Sequence, residues 1–88
     1  MNILIGIKER KIKLELIKNG KKLDFLDIVE EYSLSEKLLP EIDRLIQRNG
    51  LKSEEIKEIK VESDQNDNFT TTRIAAAVAN AWNWGKSA

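Results

Sequence analysis

Apolar and polar positions alternate along the first third of the chain in a way that only extended backbone explains. Asn2 to Ile7 (NILIGI) is almost continuously apolar and reads as a buried strand. Lys8 to Arg10 turns the chain. From Lys11 to Ile17 the alternation is clean, with Ile12, Leu14 and Leu16 on one side and Lys11, Lys13 and Glu15 on the other. That is a strand with one wet face. Asn19-Gly20 predicts a tight hairpin, because both residues tolerate positive φ. Lys22 to Val29 follows as a third strand, its apolar phase shifting between Phe25 and Leu26 as a bulge would require. Ser33 and Glu36 are spaced as a capping box. Leu38, Leu39, Ile42, Leu45 and Ile46 then repeat at helical spacing, with Pro40 forcing either a kink or a helix start near Ser35. Asn49-Gly50 predicts a left-handed end to that helix. Ser53 to Glu55 is a short turn. Glu58 to Glu62 alternates again, Ile59 and Val61 inward. Phe69 to Gly85 is a second long helix with Asp67 or Asn68 as its cap. The order is β-β-β-α-β-α, and the wet faces of the second and fourth strands predict both helices on one side of the sheet.

The last helix breaks the pattern of the rest. On a wheel of about 100° per residue, Ile74, Ala77, Val78, Ala81 and Trp82 share one side, with Trp84 near its edge, and read as the core stripe. The opposite side holds Thr72, Ala75, Ala76, Ala79 and Asn83. No charged residue occurs from Ile74 to Gly85, in a chain that is 34% charged. A helix without a charged outer face is usually covered. The expectation is a partner helix packed closely on Thr72, Ala75, Ala76, Ala79, Asn80, Asn83 and Trp84.

Composition narrows the chemistry. The sequence has 88 residues, enough for one domain spanning 1–88. A chain this size buries roughly two-thirds or less of its surface, near the lower limit of self-sufficiency, and association is a common remedy. It holds no Cys and no His, which excludes Ser–His and Cys–His nucleophile machinery and thiolate or imidazole metal ligands. The opening MNILIGIK is too short an apolar run for a secretory signal, and no run suits a membrane span, so a cytoplasmic protein is expected. Net charge is zero but uneven. Residues 1–22 carry seven basic side chains against Glu9 and Glu15, a local +5. A solvated sheet face accounts for them; contact with an RNA backbone by this basic hairpin is the alternative.

Other candidates are weaker. Asp64 and Asp67 fit a solvated loop and helix cap better than a metal site. Gly85-Lys86-Ser87 copies the end of a phosphate loop but follows a helix where it should precede one. Trp82 and Trp84 could stack on bases, yet Trp82 suits the sheet and Trp84 an interface edge. Tyr32 reads as loop packing, and Arg73 as an anchor of the helix start to a carboxylate.

Several segments together resemble the TsaB family: the MNILIGI opening, Ser35 to Asp43 (SEKLLPEID), Gly50-Leu51, Phe69 to Ala75 (FTTTRIA) and Ala81 to Gly85 (AWNWG). The family pattern opens near MNILAIDTS, continues through S-x-x-LLP-x-I and GPGSFTGLRIG, and closes on a run like A-x-x-L-A-W-G. TsaB is the non-catalytic partner subunit in the making of threonylcarbamoyladenosine on tRNA. The resemblance covers the whole chain but only the first half of the family's amino-terminal domain. It implies an actin-like ATPase, ribonuclease-H-like half-domain with sheet order 3-2-1-4. It also implies a helix-bundle interface formed by the two helices, adding Leu38, Glu41 and Leu45 to the interface residues. The implied partner is a second copy or a TsaD-like catalytic subunit. This sequence departs from the pattern where nucleotide chemistry would sit. Ile7, Lys8 and Glu9 stand in place of the family's Asp, Thr and Ser. Ser63 to Asn68 (SDQNDN) replaces its Gly-Pro-Gly-Ser loop, putting acid where backbone amides would meet an anion. No catalytic residue, metal or cofactor is expected, and the chain is not expected to be an enzyme.

Overall fold

The computed structural model describes residues 1–8, 11–28, 34–63 and 70–87. Three strands run in succession, β1 (Asn2–Lys8), β2 (Lys11–Lys18) and β3 (Lys21–Ile28). Helix α1 (Leu34–Arg48), a 3-10 turn (Ser53–Glu55), strand β4 (Glu58–Ser63) and helix α2 (Thr70–Ser87) follow. The sheet order is β3-β2-β1-β4, antiparallel except for the β1–β4 pair. The α/β half-domain of ribonuclease-H-like type, with order 3-2-1-4, is therefore present.

Local chemistry sets the turns as the residues predict. Asn19 and Gly20 adopt φ of 53° and 79°, the positive values of the hairpin turn. Gly50, at φ 69°, ends α1. There the Leu51 N–H donates to the Ile46 carbonyl at 3.1 Å and the Gly50 N–H to that of Gln47 at 2.9 Å, closing the orphan carbonyls of the last turn. Helix α1 runs through Pro40. The bulge lies elsewhere than the sequence phase indicates. Leu16 pairs with Asp24 and Ile17 with Lys22, so Leu23 is the extra residue. From there β3 alternates with Asp24, Leu26 and Ile28 on the helix side, and Phe25 faces away. The caps expected at Ser33, Asp67 and Asn68, and Tyr32, Val29 and Asp64, lie outside the described residues.

The core forms on one sheet face. Ile3, Ile5, Ile7, Ile12, Leu14, Leu16 and Ile59 meet Leu38, Ile42, Leu45 and Ile46 of α1 and Ala75 and Ala79 of α2, all essentially buried. Helix α1 lies over β2 and β3, and α2 over β4 and β1. Both helices thus share a face, as the wet strands predict. Leu39 does not join the stripe and is 49% exposed. No helix among the described residues is long and apolar enough to cross a membrane.

Candidate functional site

Helix α2 sits on the sheet through its smallest residues. Thr72, Ala75 and Ala79 are 4%, 0% and 4% exposed. Their short side chains let the helix backbone approach the strands closely. The larger apolar residues Ile74, Val78 and Trp82 are only partly buried and flank the core. The predicted facing is therefore only partly met: Ile74, Val78 and Trp82 pack against the core as expected, but at its flank. Ala77 and Ala81, expected inward, are exposed, and Thr72, Ala75 and Ala79, expected outward, face the sheet. Residue size misleads here, because the face with the least bulk wins the closest seat. The other interface candidates divide in the same way. Leu38 and Leu45 are fully buried in the chain's own core. Ala76 and Asn83 are half-buried. The Glu41 carboxylate, 3.7 Å from Arg44, is also partly buried. Asn80 is exposed and Trp84 is 78% exposed. Of the predicted interface, then, Asn80 and Trp84 stand free on the outer face, and Ala77 and Ala81 stand beside them. Those four positions carry no charge, although the same face bears Arg73 one turn before Ala77. Arg73, at its amino end, is exposed with no carboxylate partner among the described residues. Gly85 to Ser87 form the last helical turn and not a phosphate loop.

Neutral hydrogen bonds fasten α2 to β4 at both ends. Near its start, the Thr72 and Ser63 hydroxyls lie 3.1 Å apart. Near its end, the Ile59 N–H donates to Asn83 Oδ1 and Asn83 Nδ2 donates to the Ile59 carbonyl, each at 3.0 Å.

Helix α1 is fastened by charge. Asp24 of β3 accepts Arg48 Nε at 2.7 Å, Arg48 Nη2 at 2.6 Å, and Asn49 Nδ2 at 2.9 Å. Arg48 also donates to the Phe25 carbonyl at 2.6 Å. The hydrogen bonds from Arg48 and then Asn49 hold the Asp24 carboxyl well below the usual carboxylate range, and the same pairing raises Arg48.

The face opposite the helices is a solvated sheet. A shallow cavity of about 800 Å³ lies over Leu4 and Gly6, walled by Lys11, Lys13, Asp27 and Glu62. The Phe25 ring lies beneath Lys13 Nζ, 4.8 Å from its centroid, and Lys22 Nζ at 5.7 Å. Lys22 also pairs with Glu15 at 3.3 Å. The basic hairpin is not one patch: Lys8 and Lys11 pair at one end of β2, and Lys18 and Lys21 at the other. Between them Lys13 and Lys22 are interspersed with Glu15, Asp24 and Asp27. Ile7, which stands where the TsaB pattern has its Asp, is 3% exposed and packs in the core. No acid reaches the sheet end from that position.

This arrangement defines a class by fold: a ribonuclease-H-like half-domain with both helices on one face. Solved structures share it, two of them from one organism. YeaZ from Pseudomonas aeruginosa superposes with a TM-score of 0.76 at 20% identity, covering 99% of this chain and 41% of that one. An uncharacterized protein from the same organism, with similarity to peptidase YEAZ, gives 0.77 at 20% identity, over 99% and 40%. The chain thus spans about two fifths of the length of these structures. No protein-family model and no curated protein matches it.

Proposed function

We propose that this chain is a non-catalytic protein-interaction module of the TsaB kind, associating through the outer face of α2. Its partner is a second copy or a TsaD-like subunit of the tRNA-modifying machinery, in the cytoplasm. The carrying observation is the exposed stripe Ala77, Asn80, Ala81 and Trp84, which beyond Arg73 at its amino end is uncharged in a chain that is 34% charged. A fold shared with YeaZ supports the TsaB reading. Small residues admit a second helix at close range, and Trp84 supplies the large apolar group that interfaces favour. The interface differs from the one read off the sequence, because Ala75 and Ala79 are spent on the sheet.

Light scattering after size exclusion at micromolar concentration should give about twice the chain mass. Ala77→Glu and Ala81→Arg should each abolish this, since an unpaired buried charge costs on the order of 3–5 kcal/mol by analogy with broken buried pairs. Micromolar association is worth about 8 kcal/mol. A monomeric parent transfers the proposal to the heterologous partner, tested by co-purification with a TsaD subunit. If neither form of association is seen, the module reading fails.

A further inference from the structure

An outermost strand offers its free N–H and C=O groups to any other strand, and natural sheets blunt such edges. The two edges here are treated differently. β3 carries Lys21 and Lys22 and the extra residue Leu23, which together spoil it as a template. β4 has no proline and no bulge. In a strand, the N–H and C=O of one residue point to the same side, and consecutive residues point to opposite sides. Asn83 takes both groups of Ile59 from α2, so the Ile59 pair points away from β1. Val61 and Ser63 then face outward in the same way.

The side chains of this edge complement themselves. Glu58, Lys60 and Glu62 lie on the open sheet face. If a second copy pairs antiparallel about a two-fold axis through Val61, Lys60 falls opposite Glu62 of the copy, and Glu62 opposite its Lys60. Val61 meets itself as a hydrogen-bonded pair. The next hydrogen-bonded pairs on either side join Ile59 to Ser63 of the copy. Those are the pairs that the Asn83 carboxamide forestalls, since Ile59 already has both its partners. We propose that Asn83 is an edge guard: it fills the strand position at Ile59 and keeps a second copy of this chain from extending the sheet through β4. This surface is separate from the α2 face, and the inference stands whether or not that face associates.

The test compares the parent chain with Asn83→Ala by light scattering across the micromolar range. Removing the guard should raise the mass at least about twofold over the parent, whatever the parent's own state, because a second closed interface is added. Adding Lys60→Glu sets acid against acid across the axis and should return the mass to the parental value. Adding Glu62→Lys as well restores both pairs and should bring the increase back. In the parent, the Ile59 amide should exchange with deuterium at least about tenfold more slowly than the outward Val61 amide, one guarded and the other open. A folded Asn83→Ala chain of parental mass would overturn the proposal, and so would an increase that ignores Lys60→Glu. Should Asn83→Ala not fold, the exchange comparison decides alone, equal protection of Ile59 and Val61 counting against the guard.

Discussion

Helices α1 and α2 lie side by side on one sheet face, yet each is held by different chemistry. Helix α1 buries long aliphatic side chains, Leu38, Ile42, Leu45 and Ile46, and is clamped to β3 by Arg48 and Asn49 on Asp24. Its outer positions are mostly charged or polar, Glu36, Lys37, Asp43, Arg44 and Gln47, with Leu39 and Pro40 the apolar exceptions. Helix α2 buries alanines, is fastened by neutral side chains, and beyond Arg73 shows the solvent alanine, asparagine and tryptophan. The difference separates two kinds of adhesion. One helix is attached by volume and charge, the other by proximity. The first is complete in itself, and the second leaves an outer face that water alone suits poorly.

The sharpest break is expected in the core. Leu45→Ala should destabilise the fold by about 2–5 kcal/mol, since it opens a cavity under α1. A domain of this length has roughly 4–13 kcal/mol to lose, so urea denaturation will show it plainly. Under α2 the opposite change is the damaging one. Ala79→Leu should cost about 1–3 kcal/mol by overpacking a seat that has no room. A neutral Ala79→Leu would mean that α2 is not held by close approach.

A second contrast concerns association. The α2 changes Ala77→Glu and Ala81→Arg should leave circular dichroism and urea midpoint close to parental while separating the partners. Asp43→Ala on the outer face of α1 should change neither. Loss of association from Asp43→Ala would assign both helices to the interface.

Acid should loosen one helix and spare the other. The Asp24 carboxyl titrates lower in the folded chain than in the unfolded one, where it lies near 3.9. Its contribution is therefore full above about pH 4 and is lost as pH falls through the folded value. Helix α2 has no ionised group in its fastenings. Amides at the end of α1, around Gln47 to Leu51, should lose protection in this range before those near Asn83. Asp24→Asn should remove that acid-sensitive step and lower the melting temperature modestly at neutral pH. Equal acid response at both helices would refute the division. The smallest effect is a null one: calorimetry with Mg-ATP at millimolar concentration should give no heat, and saturable binding would show that Ile7 and the Ser63–Asn68 segment do not preclude a nucleotide.

Much of the fold was legible because short-range chemistry dictates it. Alternation in Lys11 to Ile17 placed β2, Asn19-Gly20 and Asn49-Gly50 fixed their turns, and the wet strands put both helices on one face. What failed was relative orientation. The wheel of α2 offers two faces of similar polarity, Ala75 with Ala79 and Ala77 with Ala81. Only the proximity of β4 decides between them. The β3 phase failed for a related reason. Asp24 occupies an inward position because Arg48 and Asn49 neutralise it there, and no neighbour in sequence reveals that. Asn83 on the arc of Thr72 and Ala79 was the available sign that this arc faces inward, since a carboxamide among alanines suggests a backbone to meet.

The Lys57 N–H donates to the Met1 carbonyl at 2.7 Å, and α2 ends one turn beyond Asn83, which holds Ile59, the neighbour of Ile3 in register. The start of β1 and the end of α2 therefore lie at the same pole of the sheet. A short peptide joining them would make a ring without disturbing either helix. Its unfolded form would be poorer in configurations than the open chain, so the ring should melt at a higher temperature while its native contacts stay the same.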